Sequence, residues 1–181
     1  ESNFIYYLDS LDNLVSLLNI KNLESAIHHV SQIIFIFSHN KIYSDLQYVH
    51  GNDLSLDVNR ASNISTYSKF LPDGSAVLIA EVPCKVNSDI WNNTDKYVKK
   101  IWNDLQKMQM ANPSENFKDF KYFKLKKTFP IPLAHFETNL KSVNKYLISN
   151  FKNKFRIPGI KVIGRHDFIE CICEDDFLSL K

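Results

Sequence analysis

Between Leu133 and Phe155, the residues Phe136, Leu140, Val143, Leu147, Phe151 and Phe155 recur at steps of three or four, which predicts a helix with one continuous apolar stripe. Such a stripe is stable only when another element covers it, so the remainder of the chain must supply a matching surface. The opposite face of this segment carries Lys141, Lys145, Lys152 and Lys154. Just upstream the period changes. Phe117–Phe129 alternates as a strand does, and Pro130-Ile131-Pro132 forms a stiff connection into the helix.

The same reading predicts a first helix over Phe4–Asn19, carried by Phe4, Leu8, Leu11, Val15 and Leu18. A second begins near Asn22, with Leu23, Ile27 and Val30 on one stripe, and Ile33–Phe37 fits either its continuation or a strand. Lys41–Val49 reads as extended and the polar stretch 52–65 as loop. Tyr67–Val86 reads as two strands, or one bent strand, about Pro72-Asp73-Gly74-Ser75, with Ala76–Val82 in the core. A third helix starts at Ser88 or Asp89, repeats through Trp91, Thr94, Val98, Ile101, Leu105 and Met108, and stops at Asn112-Pro113. Beyond Pro158-Gly159, Ile160–Ile163 and Phe168–Cys173 read as a hairpin. Helices mixed with strand pairs, without a strict βαβ repeat, predict one α+β domain over residues 1–181. Its sheet is small and mainly antiparallel, with amphipathic helices on one face.

Aromatic residues make up 13% of the chain, and only 4 Gly and 6 Pro interrupt it, which excludes disordered and collagenous classes. The longest apolar run, Ile33–Phe37, is far short of the roughly 20 residues of a spanning helix. Three cysteines, Cys84, Cys171 and Cys173, do not make a disulfide framework and point to a reducing, cytoplasmic setting. Gly51, Gly74, Gly159 and Gly164 are isolated, so they form no phosphate-cradling loop of P-loop or Rossmann type.

A net charge of +2 conceals a strong segregation. Residues 96–165 hold sixteen lysines or arginines against four acids, an excess of twelve positive charges, while residues 1–95 carry −6 and residues 166–181 carry −4. A concentrated positive field attracts anionic partners where net charge alone would not. Strand alternation over 117–129 places Phe117, Phe123, Leu125 and Phe129 on one face with Lys121 and Lys127. Lys118, Phe120, Tyr122, Lys124 and Lys126 fall on the other. The second face has the composition of a single-strand nucleic-acid platform, in which rings stack on bases and lysines neutralise phosphates. The expected function is therefore a recognition module without enzymatic activity or cofactor. It binds nucleic acid or an acidic protein surface through these residues together with Lys141, Lys145 and Lys152.

Other clusters suggest other chemistry. Pro72-Asp73 followed by Glu81 and Lys85 resembles the metal-binding set of PD-(D/E)xK nucleases. That resemblance implies Mg²⁺ held by Asp73 and Glu81, with Lys85 near the attacking water of a nuclease or phosphodiesterase. The spacing departs from theirs, since those nucleases place Glu and Lys two residues apart. The four-residue step from Glu81 to Lys85 spans about 13 Å if extended, unless Pro83 kinks it. Arg165, His166, Asp167, Glu170, Cys171 and Cys173 offer acid–base and thiolate groups. Alternation nevertheless holds the two thiols about 7 Å apart, too far for one tetrahedral ion. His28, His29, His39, His50 and His135 show no metal-ligand spacing. A protein-interaction or small-ligand sensing domain that uses exposed aromatics is the remaining alternative.

Overall fold

The computed structural model describes residues 5–6, 11–20, 27–68, 75–151 and 155–156. In chain order the elements are β1 (Ile5–Tyr6), α1 (Leu11–Leu17), β2 (Ile27–His39), β3 (Tyr48–His50), β4 (Arg60–Asn63), a 3₁₀ turn (Ile64–Thr66), β5 (Ala76–Pro83), α2 (Asp89–Asn92), α3 (Thr94–Lys107), β6 (Asp119–Pro132), α4 (Phe136–Phe151) and β7 (Phe155–Arg156). The chain divides into two units, residues 30–129 and residues 1–29 with 130–181. The fold is α+β, built around a five-stranded antiparallel sheet of order β3-β4-β5-β2-β6.

In the unit of residues 30–129, alternation in β2 and β5 decides which side chains face inward. Ile33, Phe35 and Phe37 stand opposite Val82, Ala80 and Leu78, and all six are buried. Ala61 of β4 extends that face beside Ala80. Trp91 of α2 and Val98, Ile101, Trp102 and Leu105 of α3 cover it in one core cluster, so the helices lie on a single face of the sheet. Asp89 ties α2 to α3 across the break at Asn93, accepting hydrogen bonds from Asn93 Nδ2 at 2.7 Å and Tyr97 Oη at 2.5 Å. Gln109, in the left-handed region at φ 58°, ends α3, and the Met110 N–H donates to the Leu105 carbonyl at 2.9 Å. Asp104 is buried on α3 and accepts the Asp57 backbone N–H at 2.9 Å, which fixes the loop entering β4.

In the other unit, Leu14 and Val15 of α1 and Val143 and Leu147 of α4 form a second buried cluster, with Phe136, Leu140 and Phe151 packed against it. The apolar stripe of α4 therefore finds its cover in the short first helix. No helix among the described residues is long and apolar enough to cross a membrane.

Several expected elements form differently. Leu23, Ile27 and Val30 have helical spacing, yet Ile27–His39 is one strand of 13 residues. Its β-branched and aromatic residues fit a pleated surface, and eight consecutive register pairs with β5 hold it there. The polar stretch read as loop contains β4, whose sequence Arg-Ala-Ser-Asn carries no apolar alternation and forms a strand because it pairs with β3 and β5. The first helix begins at Leu11 instead of Phe4, and the last ends at Phe151 instead of Phe155. One interaction accounts for both corrections, since Ile5 and Tyr6 pair in parallel with Phe155 and Arg156. The expected hairpin at 160–173 lies outside the described residues.

His39 ends β2 on the core face, buried and edge-on to the Trp102 ring at a centroid distance of 5.6 Å. Neither ring nitrogen has a hydrogen-bond partner among the described residues. Burial pushes its pKa below the usual 6.5, against a smaller opposing pull from Glu115. The unfolded chain then binds a proton that the folded chain refuses. Stability is accordingly expected to hold above about pH 6.5 and to fall as pH drops from there toward the lowered folded-state pKa. Urea denaturation across that window checks this: His39→Leu should flatten the dependence, and an unchanged slope would assign it to other groups.

Candidate functional site

The face of the sheet opposite α2 and α3 is built from two cross-strand rows. Tyr48, Ser62, Ile79 and Ile36 form one, and His50, Arg60, Glu81 and Ile34 form the other. Arg60 donates from Nε to Glu81 Oε1 at 2.8 Å and from Nη2 to the same oxygen, making a salt bridge between adjacent strands. The Glu81 side chain is only 11% exposed, whereas that of Arg60 is 40% exposed, so the carboxylate holds the guanidinium from below and leaves its outer edge toward solvent.

Beside this pair lies a cleft of about 390 Å³ lined by Gln47, Tyr48, Arg60, Ser62 and Tyr67. Buried Asn63 sets its walls. The Asn63 N–H donates to the Gln47 carbonyl at 2.7 Å, Nδ2 donates to the Ser44 carbonyl at 2.9 Å, and Oδ1 accepts the Ser65 N–H at 3.1 Å. One side chain thus joins the segment before Tyr48 to the turn that ends at Tyr67. Both tyrosines are largely exposed, at 61% and 56%. The sequence reading missed this cleft because Arg60 and Ser62 fall in the stretch taken as loop.

The basic residues expected on 117–129 separate onto two faces as alternation requires, and β6 ends the sheet order among the described residues. Lys118, Lys124 and Lys126 are exposed, but Phe120 and Tyr122 are half-buried against the core. The Tyr122 ring lies 5.9 Å from that of Phe35, and Lys124 Nζ sits 5.7 Å from the Tyr122 ring and 5.9 Å from that of Trp91. Phe123, Leu125, Phe129 and Ile131, on the alternate face, are the exposed large apolar residues of the strand. Lys141 and Lys145 are exposed on α4, in the other unit, and Lys152 lies outside the described residues.

Of the three residues expected to hold Mg²⁺ and its water, Glu81 pairs with Arg60, Lys85 is exposed beyond the end of β5, and Asp73 lies outside the described residues. Arg165, His166, Asp167, Glu170, Cys171 and Cys173 also lie outside them. Among the described residues no group of three or more His, Cys, Asp or Glu side chains is placed to hold a metal ion.

No family model and no curated protein matches the chain. Solved structures do. The chain is similar to the reduced form of UDP-galactopyranose mutase, with a TM-score of 0.68 and 15% identity over 81% of this chain and 34% of that one. It is also similar to a protein from Exiguobacterium sp. 255-15 provisionally named a protoporphyrinogen oxidase, with a TM-score of 0.67 and 14% identity over 97% of this chain and 41% of that one. At these identities the likeness is one of fold. The chain spans about a third to two-fifths of the length of these proteins.

Proposed function

We propose that this chain is the ligand-cradling sheet portion of a longer redox enzyme. The supporting observation is the likeness in fold, over 81% and 97% of the chain, to two proteins more than twice its span, one solved in its reduced form and the other named an oxidase. The isolated glycines of this chain offer no phosphate loop, so the redox cofactor would be held by polypeptide outside it. The open sheet face and its cleft then serve ligand recognition, in a cytoplasmic enzyme. Fold alone does not fix chemistry, which makes the cofactor the decisive readout. The longest polypeptide that carries this chain should purify with a visible absorbance band that dithionite bleaches; a colourless product would overturn the reading.

A second reading keeps the basic edge as a surface for nucleic acid or an acidic protein. It is favoured by the exposure of Lys121, Lys124, Lys126 and Lys127 along β6 and of Lys118 just before it. With Phe120 and Tyr122 packed inward, such binding would act through charge instead of stacking, and RNA affinity would fall log-linearly with salt. The Mg²⁺-dependent nuclease alternative draws no support from Glu81, whose carboxylate is committed to Arg60.

A further inference from the structure

We propose that the cleft at Tyr48, Arg60 and Tyr67 binds a small planar anion, a flat ring that carries a carboxylate or a phosphate. Glu81 takes Nε and one Nη of Arg60, which fixes the plane of the guanidinium and removes much of the entropy a free arginine would lose on binding. Its outer N–H groups have no partner among the described residues and present the fork that matches a carboxylate or phosphate in bidentate geometry. No carboxylate lines the cleft itself. Glu81 neutralises the charge of Arg60, so recognition rests on this local fork and not on a long-range field.

The ring follows from the walls. Tyr48 and Tyr67 both line a volume within the usual small-molecule range and are largely exposed, so a flat ligand seated there would bury aromatic surface. Gln47 and Ser62 add an amide and a hydroxyl for polar substituents on that ring. Calling such a molecule the enzyme's substrate rests on the reading above; its binding does not.

Calorimetric titration of the 181-residue chain with benzoate, adenosine 5′-monophosphate, inorganic phosphate, and the uncharged analogues benzamide and adenosine tests this. Benzoate or the nucleotide should bind saturably, about tenfold tighter than its neutral analogue and than phosphate alone, and the tighter of the two names the anion. Tyr48→Ala should weaken binding about tenfold. Removing Arg60 alone would leave Glu81 almost buried without its counter-ion, so the informative change is the double variant Arg60→Met with Glu81→Met, which keeps apolar volume while removing the fork. It too should weaken binding about tenfold or more. Lys124→Ala with Lys126→Ala should leave it unchanged. Equal affinity for charged and neutral analogues, absence of saturable heat, insensitivity to both cleft changes, or loss of binding in the lysine variant would each overturn the proposal. Ligand binding by this chain alongside a colourless longer polypeptide would overturn only the redox reading, and a coloured polypeptide with a silent titration would do the reverse.

Discussion

Replacing Trp102 by alanine is expected to cost about 4 kcal/mol, a large part of the roughly 5–15 kcal/mol that holds a domain folded. The indole is 2% exposed and meets three rings at once: Phe37 at a centroid distance of 5.4 Å, His39 at 5.6 Å and Phe117 at 5.6 Å. Its Nε1–H donates to the Glu115 carbonyl at 3.0 Å, so truncation also removes one of the two hydrogen bonds that oxygen accepts and leaves it to Gln106 Nε2 at 2.9 Å. The site cannot collapse easily, because Phe37 is fixed in β2 and Trp102 joins α3 to the segment leading into β6. Trp102→Phe keeps most of the packing and loses the hydrogen bond, for an expected cost of about 1–2 kcal/mol. Urea midpoints at an unchanged m-value measure both. A loss below about 1.5 kcal/mol for the alanine variant would show that Trp102 is not the joint between helix and sheet.

Gly51→Ala should cost about 3 kcal/mol by a different route. A Cβ placed on Gly51 would lie 2.3 Å from the Val58 carbonyl oxygen and 3.4 Å from its carbon. The obstacle is backbone, so no rotamer change relieves it. The two strands cannot simply part either, since the Gly51 N–H donates to the Asn59 carbonyl at 2.7 Å and the neighbouring pair His50–Arg60 belongs to the β3–β4 register. The strain is predicted to appear as a lower melting temperature and faster amide exchange across β3. A variant with wild-type stability would mean that the 51–58 approach relaxes freely.

The elements legible in the sequence were those whose periodicity continues long enough to exclude alternatives. The repeat from Trp91 to Met108 marks α2 and α3, and Phe117–Phe129 marks β6. Alternation in β6 announced two unlike faces without saying which turns inward. Phe120 and Tyr122 differ little in hydrophobicity from Phe123 and Leu125, and the choice is made by Phe35 and α2, far away in sequence. β4 was illegible because pairing, not apolar content, makes it a strand. The cleft was illegible for a related reason. Arg60 and Glu81 become a unit only when β4 lies against β5, and Tyr48 joins them through a further pairing across β3. Composition reports that the charges exist, while register decides which of them meet.

The lysines of β6 have a colloidal consequence. Among the described residues β6 ends the sheet, and a strand in that position presents unpaired backbone groups along its outer edge to which a second copy could hydrogen-bond. On β6 that approach brings Lys121, Lys124, Lys126 and Lys127, with Lys118 just before the strand, against their own counterparts, so electrostatic repulsion opposes it. The range of that repulsion shrinks from about 10 Å at 0.1 M salt to about 3 Å at 1 M. Concentrated stocks should therefore keep best in dilute buffer, and the high-salt conditions that protect many basic proteins would here remove the barrier to edge-to-edge assembly.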